Sequence, residues 1–282
     1  MARSLSLADR RSTEHALRYL ILTIAAVVAL LPLLWGLASS FKFTNELFGI
    51  PVRILPSSPT FANYVKTIEK GFDTFLLNSF GITSVSVMFT LLMATVAAYA
   101  LARFKFRGRG VILWMVLITM MVPGLASLIP TYMIMSRLKL VDSYAGLMLA
   151  YTALNLPLGV WILRSFFLTL PRELEQAAVI DGCGPFRTFA LVMLPLAQPG
   201  IAAVAILGFL MAWNDHLIAL TLVSSKALRT IPLALYYTLG DHGTDWGILT
   251  SGAILSVIPT ILVYLALQKK FVSGLTAGAI KS

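Results

Sequence analysis

Three acids lie close together in the stretch PRELEQAAVIDGCGPF, residues 171–186: Glu173, Glu175 and Asp181. The chain has 22 Lys and Arg against 12 Asp and Glu, so an acidic run stands out. Carboxylates at this spacing can meet basic groups or backbone donors of another protein. A second set of polar groups falls inside apolar sequence. Asn155 follows Tyr151 and Thr152 by four and three residues, which puts the three on one helix face. Trp213, Asn214, Asp215 and His216 form the run WNDH. A carboxylate deep in an apolar span costs at least about 2.5 kcal/mol, so Asp215 is expected to face a wet cavity or a partner chain. The plainer alternative is that Asp215 pairs with His216 and fixes packing.

No catalytic set emerges. G-x-x-x-x-G-K-[ST], H-E-x-x-H and G-x-S-x-G are all absent. The three histidines, His15, His216 and His242, are too scattered for a metal site. The single cysteine, Cys183, permits neither an internal disulfide nor a thiolate metal cluster.

The elements that must position these residues follow from composition. Of the 282 residues, 58% are hydrophobic and 12% charged, far from the usage of a soluble domain. The apolar residues arrive in blocks of the roughly 20 residues that a membrane span needs. Six blocks qualify, at about Arg18–Ser40, Leu76–Ala102, Val111–Met135, Ser143–Leu168, Leu196–Val223 and Gly247–Gln268. The first is longer than the h-region of a signal peptide, so it reads as a retained span. The expected fold is an all-α integral membrane protein. Residues 1–17 would precede six spans over 18–268, and 269–282 would form a tail.

The net charge of +10 does not point to nucleic acid, because its distribution follows the positive-inside rule. With the N-terminus in the cytoplasm, fourteen of the 22 basic residues fall on that side. They are Arg3, Arg10, Arg11 and Arg18; Arg103, Lys105, Arg107 and Arg109; Arg164, Arg172 and Arg187; Lys269, Lys270 and Lys281. The run RFKFRGRG is the sharpest signal. Both termini and residues 169–195 are then expected in the cytoplasm of a multi-pass membrane protein.

Pro123, Pro130, Pro157 and Pro259 fall within the spans and are expected to bend them, as suits a transport pathway; proline is also ordinary in membrane helices. The loop of about residues 224–246 mixes aromatics with Gly and Asp, which suits a receiving surface or an interfacial connector.

The 27 residues of 169–195 are too many for a plain connector. Pro171 suits a first helical turn, and Glu173 and Glu175 sit at the positive end of the dipole. Leu174, Ala177, Ala178 and Asp181 follow helical spacing and make a face with little bulk. Gly182 and Gly184 break the helix. Pro185 starts a second one, with Phe186, Phe189, Ala190 and Met193 in register, and Pro195 closes it. An interfacial hairpin on headgroups is the bland reading. Three acids and a small-residue face suit a protein groove better.

Here the sequence resembles a family. LEQAAVIDGCGPFRTFALVMLPLAQPG is similar to the EAA loop of ABC-importer permeases, in the carbohydrate-uptake branch of the maltose-type second permease subunit. DG at 181–182, LP at 194–195, WND at 213–215, GTDWG at 243–247 and the tail FVSGLTAGAIK agree in order. One departure is plain: Gln176 stands where the first Glu of E-A-A is usual. The resemblance implies a type I importer permease with six spans and a cytoplasmic coupling helix. It implies a second, similar permease as heterodimer partner, two ATPase subunits that bind ATP and Mg, and an extracytoplasmic solute-binding protein. The cargo would be a sugar or sugar-like solute, and the chain would perform no chemistry and hold no cofactor of its own. Coupling would fall to Glu173, Glu175, Gln176, Ala177, Ala178, Asp181 and Gly182. The pathway would involve Tyr151, Thr152, Asn155, Trp213, Asn214 and Asp215. Two rivals remain: an ion-coupled secondary transporter with Asp215 as its coupling group, and a structural membrane subunit with no pathway.

Overall fold

The computed structural model describes residues 7–240 and 243–279, with side chains over 14–240 and 244–270. Arg3, His242 and Lys281 lie outside the described residues, as do the side chains of Arg10, Arg11 and the tail from Phe271. In chain order the helices are α1 (Leu7–Ser40), α2 (Thr44–Leu47), α3 (Ala62–Glu69), α4 (Phe72–Arg103), α5 (Arg109–Met121), α6 (Gly124–Arg137) and α7 (Tyr144–Thr169). Then come α8 (Glu173–Ile180), α9 (Pro185–Thr188), a π-helical turn (Phe189–Met193), α10 (Leu194–Leu196), α11 (Gln198–Trp213), α12 (Leu217–Leu222) and α13 (Ile231–Thr238). A two-residue hairpin, β1 (Leu239–Gly240) with β2 (Gly243–Thr244), precedes α14 (Trp246–Ala279).

The chain forms two compact units, residues 1–70 with 238–255, and residues 71–237 with 256–282. In the first, the irregular loop after α1 is tied down by polar contacts. Asn63 Nδ2 donates to Ser40 O at 2.9 Å and to Lys42 O at 2.8 Å. Thr67 Oγ1 donates to Asn63 O at 2.7 Å and lies 2.6 Å from Ser251 Oγ. Gly247 packs against Asn63 so closely that a Cβ would collide with Oδ1. Lys42 is buried, which its ammonium tolerates by donating to Arg53 O at 2.6 Å and standing over Trp35. Most of the described apolar side chains of α1, from Leu17 to Leu37, remain exposed within this chain.

The second unit is built on α4, α7 and α11. Their contact is lined with small and hydroxylated residues, as suits helices that approach closely in a membrane. Ser79, Thr83, Ser86 and Thr90 of α4 are all buried. Ser86 Oγ donates to Ile82 O at 2.7 Å and Thr90 Oγ1 to Ser86 O at 2.9 Å, while Ser79 Oγ accepts from Ile231 N–H at 2.7 Å, so these three hydroxyls are paired. Gly159 of α7 sits where the three helices meet. A Cβ there would lie 3.1 Å from Ala94 Cβ and 3.2 Å from Val204 Cγ1. Larger residues fill the ends: Leu163, Phe167 and Met193 toward one, Leu147, Leu222 and Leu233 toward the other.

Among the described residues four helices are long and apolar enough to cross a membrane, or up to six if each bent pair counts as one span. The third and fifth blocks differ from the expected continuous spans. The third is broken between α5 and α6 by a 108° bend. Val122 is extended, with ψ 121°, because the ring of Pro123 disfavours helix in the residue before it. The fifth runs over α11, stops at Trp213, and resumes as α12. The other expected bends do not break their helices: α6, α7 and α14 continue through Pro130, Pro157 and Pro259. The first helix begins at Leu7 and the last reaches Ala279, so both extend beyond the apolar blocks at 18–40 and 247–268.

Candidate functional site

The acidic stretch folds as α8, starting at Glu173, two residues later than a helix with Pro171 at its first position would. Glu173 and Glu175 occupy its first turn. Its end is a Schellman motif: Gly182 N–H donates to Val179 O at 3.0 Å and Cys183 N–H to Ala178 O at 2.8 Å. Gly182 has φ 81°, the left-handed conformation that this motif requires of its glycine. Pro185 then opens α9, where its missing N–H costs nothing. The helix continues past Pro195 and turns by 70° at Ala197 into α11. The expected stop at Pro195 therefore falls two residues later.

The face expected to meet a partner is divided. Ala178 is only 5% exposed, packed within its own chain. Ala177, Gln176, Glu173, Asp181 and Gly182 are exposed. Glu175 is turned inward, with its Oε1 3.0 Å from Arg103 Nε; the side chains are 20% and 5% exposed. The contact is an ion pair without an aligned hydrogen bond. Arg103 Nη2 also donates to Leu170 O at 2.9 Å. The outward surface is instead apolar: Val179, Ile180 and Phe186 are strongly exposed, Ile180 at 85%. Sequence reading missed Arg103. As the first charge of RFKFRGRG it reads as a topology signal, and nothing local marks it as buried.

The polar residues expected on a pathway do not form one open face. Tyr151, Thr152, Asn155 and Trp213 are buried in this chain's own packing. Thr152 Oγ1 donates to Met148 O at 2.7 Å, and Trp213 Nε1 to Ser256 O at 3.1 Å. Asn155 lines a slot of about 10 Å³ with Thr90, Gly159, Val204 and Gly208, and its amide has no hydrogen-bond partner among the described residues. Asn214 is exposed where α11 ends, and its Nδ2 donates back to Leu210 O at 2.8 Å. Asp215 Oδ1 accepts from Ile218 N–H at 3.0 Å and Ala219 N–H at 3.4 Å, which caps α12. It also accepts from the Tyr151 hydroxyl at 3.1 Å. The anticipated Asp215–His216 pairing is absent: His216 stacks on Tyr236, with centroids 6.1 Å apart.

Two further clamps had no sequence signal. Asn78 Nδ2 donates to Ala227 O at 2.7 Å and Arg229 O at 3.0 Å, and Ile231 N–H donates to Ser79 Oγ at 2.7 Å. Asp142, at φ 56°, accepts from Ser225 N–H at 2.9 Å, Ser224 N–H at 3.0 Å and the Ser225 hydroxyl. The Ser225 hydroxyl and these two N–H groups hold its carboxyl below the usual carboxylate range. Among the described residues no group of His, Cys, Asp and Glu could hold a metal ion.

Residues 86–276 match the family described as binding-protein-dependent transport system inner membrane component. The chain belongs to this family. It is 36% identical over 266 residues to the sulfoquinovosyl glycerol transport system permease protein SmoH of Agrobacterium fabrum, covering 94% of this chain and 93% of the relative. It is 37% identical over 263 residues to the trehalose transport system permease protein SugB of Mycobacterium tuberculosis, covering 92% and 95%. Its fold is similar to a chain in the crystal structure of a bacterial ABC transporter that imports the acidic polysaccharide alginate, with TM-score 0.78 and 24% identity over 96% of this chain and 100% of that one. The protein is thus a permease subunit of an ATP-driven importer, with the type I permease fold and an inner-membrane location.

Proposed function

We propose that this permease carries a carbohydrate or carbohydrate-like solute, and that α8 is where an ATPase subunit docks. The substrate class follows from the relatives, whose names specify a sulfoquinovosyl glycerol and trehalose. A second permease completes the pathway, an extracytoplasmic binding protein delivers the solute, and two ATPase subunits bind ATP and Mg. Both termini and α8 lie in the cytoplasm, as the basic residues around α8 and at RFKFRGRG favour.

The observation that carries the docking reading is the outward surface of α8 and α9. Val179, Ile180 and Phe186 stand exposed beside Asp181, on a helix held by a fixed C-terminal turn and an inward ion pair. Exposed apolar side chains on a short, rigid, charged helix fit a groove on a protein. For the pathway, Asn214 is exposed at the break between α11 and α12, and Asn155 lines a narrow slot whose other walls are mostly apolar. Tyr151, Thr152 and Trp213 are buried in this chain's own packing and are not offered to the solute directly. Asp215 is occupied as a cap, which disfavours ion coupling through its carboxylate.

The test is uptake of radiolabelled trehalose, with the relatives' other named sugars as competitors, in cells expressing the whole transporter. Uptake should survive collapse of the proton gradient and stop when ATP is depleted. The reverse pattern would sink the ATP-driven reading, and transport of none of these sugars would sink the substrate class.

A further inference from the structure

The charged side chain of Arg103 is almost wholly buried, and a buried guanidinium needs partners. It finds them on α8 and on the residue just after α7: Glu175 Oε1 at 3.0 Å and Leu170 O at 2.9 Å. Arg103 is the last residue of α4, a helix of 32 residues with no proline and no break. At the usual 1.5 Å rise such a helix is about 48 Å long, more than the thickness of a bilayer's apolar core. Its other end carries a second set of polar attachments. Asn78 grips the connection at Ala227 and Arg229, Ser79 accepts from Ile231 N–H, and the Tyr144 hydroxyl donates to Asn78 Oδ1 at 2.8 Å. The neighbouring third span, by contrast, is bent by 108° between α5 and α6.

We propose that α4 is a rigid rod that joins α8 to the 224–231 connection across the membrane, with Arg103–Glu175 as the joint at one end and Asn78–Ser79 as the joint at the other. Glu175 is then a positioning residue: it makes α8 and α4 move together and does not touch the ATPase. This rests on the reading of α8 as the ATPase dock. Three features support the division of labour. Glu175 faces inward while Glu173 and Asp181 face out. Close packing along α4 by α7 and α11 leaves the rod no slack to absorb a displacement. The attachments at both ends are made by side chains, so single substitutions can sever them without altering the helix.

The experiment uses the full complex of both permeases, the ATPase subunits and the binding protein, in proteoliposomes. Cys183→Ala removes the native thiol, and Lys226→Cys carries an environment-sensitive fluorophore on the exposed connection. Mg-ATP is the probe added. The parent complex should show an ATP-dependent signal at residue 226. Glu175→Gln and Glu175→Ala should reduce that signal about fivefold or more, the scale of an ordinary coupling between sites, while the ATPase subunits still co-purify. Asn78→Leu should do the same from the other end. The exchange Arg103→Glu with Glu175→Arg should restore much of the signal. No ATP-dependent signal in the parent, or an unchanged one in both Glu175 variants, overturns the proposal. Release of the ATPase by the Glu175 variants also overturns it, because Glu175 would then be a docking residue. So does loss of the complex from the membrane that the exchange fails to correct, since the pair would then serve folding alone. Failure of the docking reading looks different: Ile180→Asp would keep its ATPase.

Discussion

The Tyr151 hydroxyl donates to Asp215 Oδ1, the same oxygen that accepts from the first N–H groups of α12. Asp215 thus joins α7 to the start of α12, just after the break in the fifth span. Asp215→Ala should cost about 0.5–2 kcal/mol for the lost cap, and about 1–3 kcal/mol for a buried hydroxyl left unpaired. Asp215→Asn keeps an acceptor in place and should be mild. Thermal unfolding of the purified complex checks both. Transport by Asp215→Asn checks the ion-coupled rival as well: a coupling carboxylate cannot be replaced by an amide, so near-normal uptake is the expected result.

Gly159 should resist larger side chains in proportion to their size. Its missing Cβ faces Ala94 and Val204 at 3.1 and 3.2 Å, with Thr90 Cγ2 at 3.4 Å. Gly159→Val should force α4, α7 and α11 apart and cost about 1–3 kcal/mol, as over-packing does. The expected readout is a lower yield of folded complex in membranes, with Gly159→Ala intermediate.

The Asp142 clamp gives a pH dependence with a definite sign. The folded carboxyl titrates below its usual value because Ser225 and Ser224 donate to it. Its contribution is therefore present above an unfolded carboxyl's pKa of about 3.9, and lost as pH falls through the lower folded value. Asp142→Asn keeps the left-handed backbone and one acceptor but cannot ionise. The Tm difference between parent and Asp142→Asn should be constant above about pH 4 and shrink below it. A difference that grows on acidification would contradict this account.

Block length and composition sufficed to place the long helices, because an apolar run of span length has few alternatives. They could not locate the breaks. Proline at 123 and proline at 157 look alike in sequence, yet only the first ends a helix, since the second lies in a helix packed on both sides by α4 and α11. The WNDH run read as polar groups inside a span, when its carboxylate caps the next helix. The segment 169–195 was legible in its glycine stop and its two helices. Its inward and outward faces were not. Which way Glu175 and Ala178 point depends on Arg103 and on the core beneath, partners far away in sequence, and small size alone does not say whether a residue faces a cleft or its own chain.

That division of α8 gives the last expectation. Ala178 is 5% exposed and Ile180 85% exposed, so the two positions should fail in different ways. Ala178→Leu adds bulk to an occupied interior and should lower the amount of folded permease, at a cost of about 1–3 kcal/mol. Ile180→Asp touches nothing in this chain, so folding and membrane insertion should be normal. It should nevertheless release the ATPase, because it replaces an apolar contact with a carboxylate that the docked groove would have to desolvate. Asp181→Lys reverses the exposed charge at the helix end and should weaken docking in the same way. Gln176→Glu is exposed and adds only the acid usual in the family, so it should be neutral. Gly182→Val is the internal control: no atom lies within 4 Å of its missing Cβ, so any effect comes from forcing a β-branched residue to φ 81°, roughly 1–2 kcal/mol of backbone strain. Gly182→Asn, which accepts that conformation more readily, should recover most of the loss. Membrane yield and ATPase co-purification, measured side by side, separate the cases. If Ile180→Asp retains its ATPase while Ala178→Leu folds normally and releases it, the small face is the dock after all and the apolar surface has another purpose.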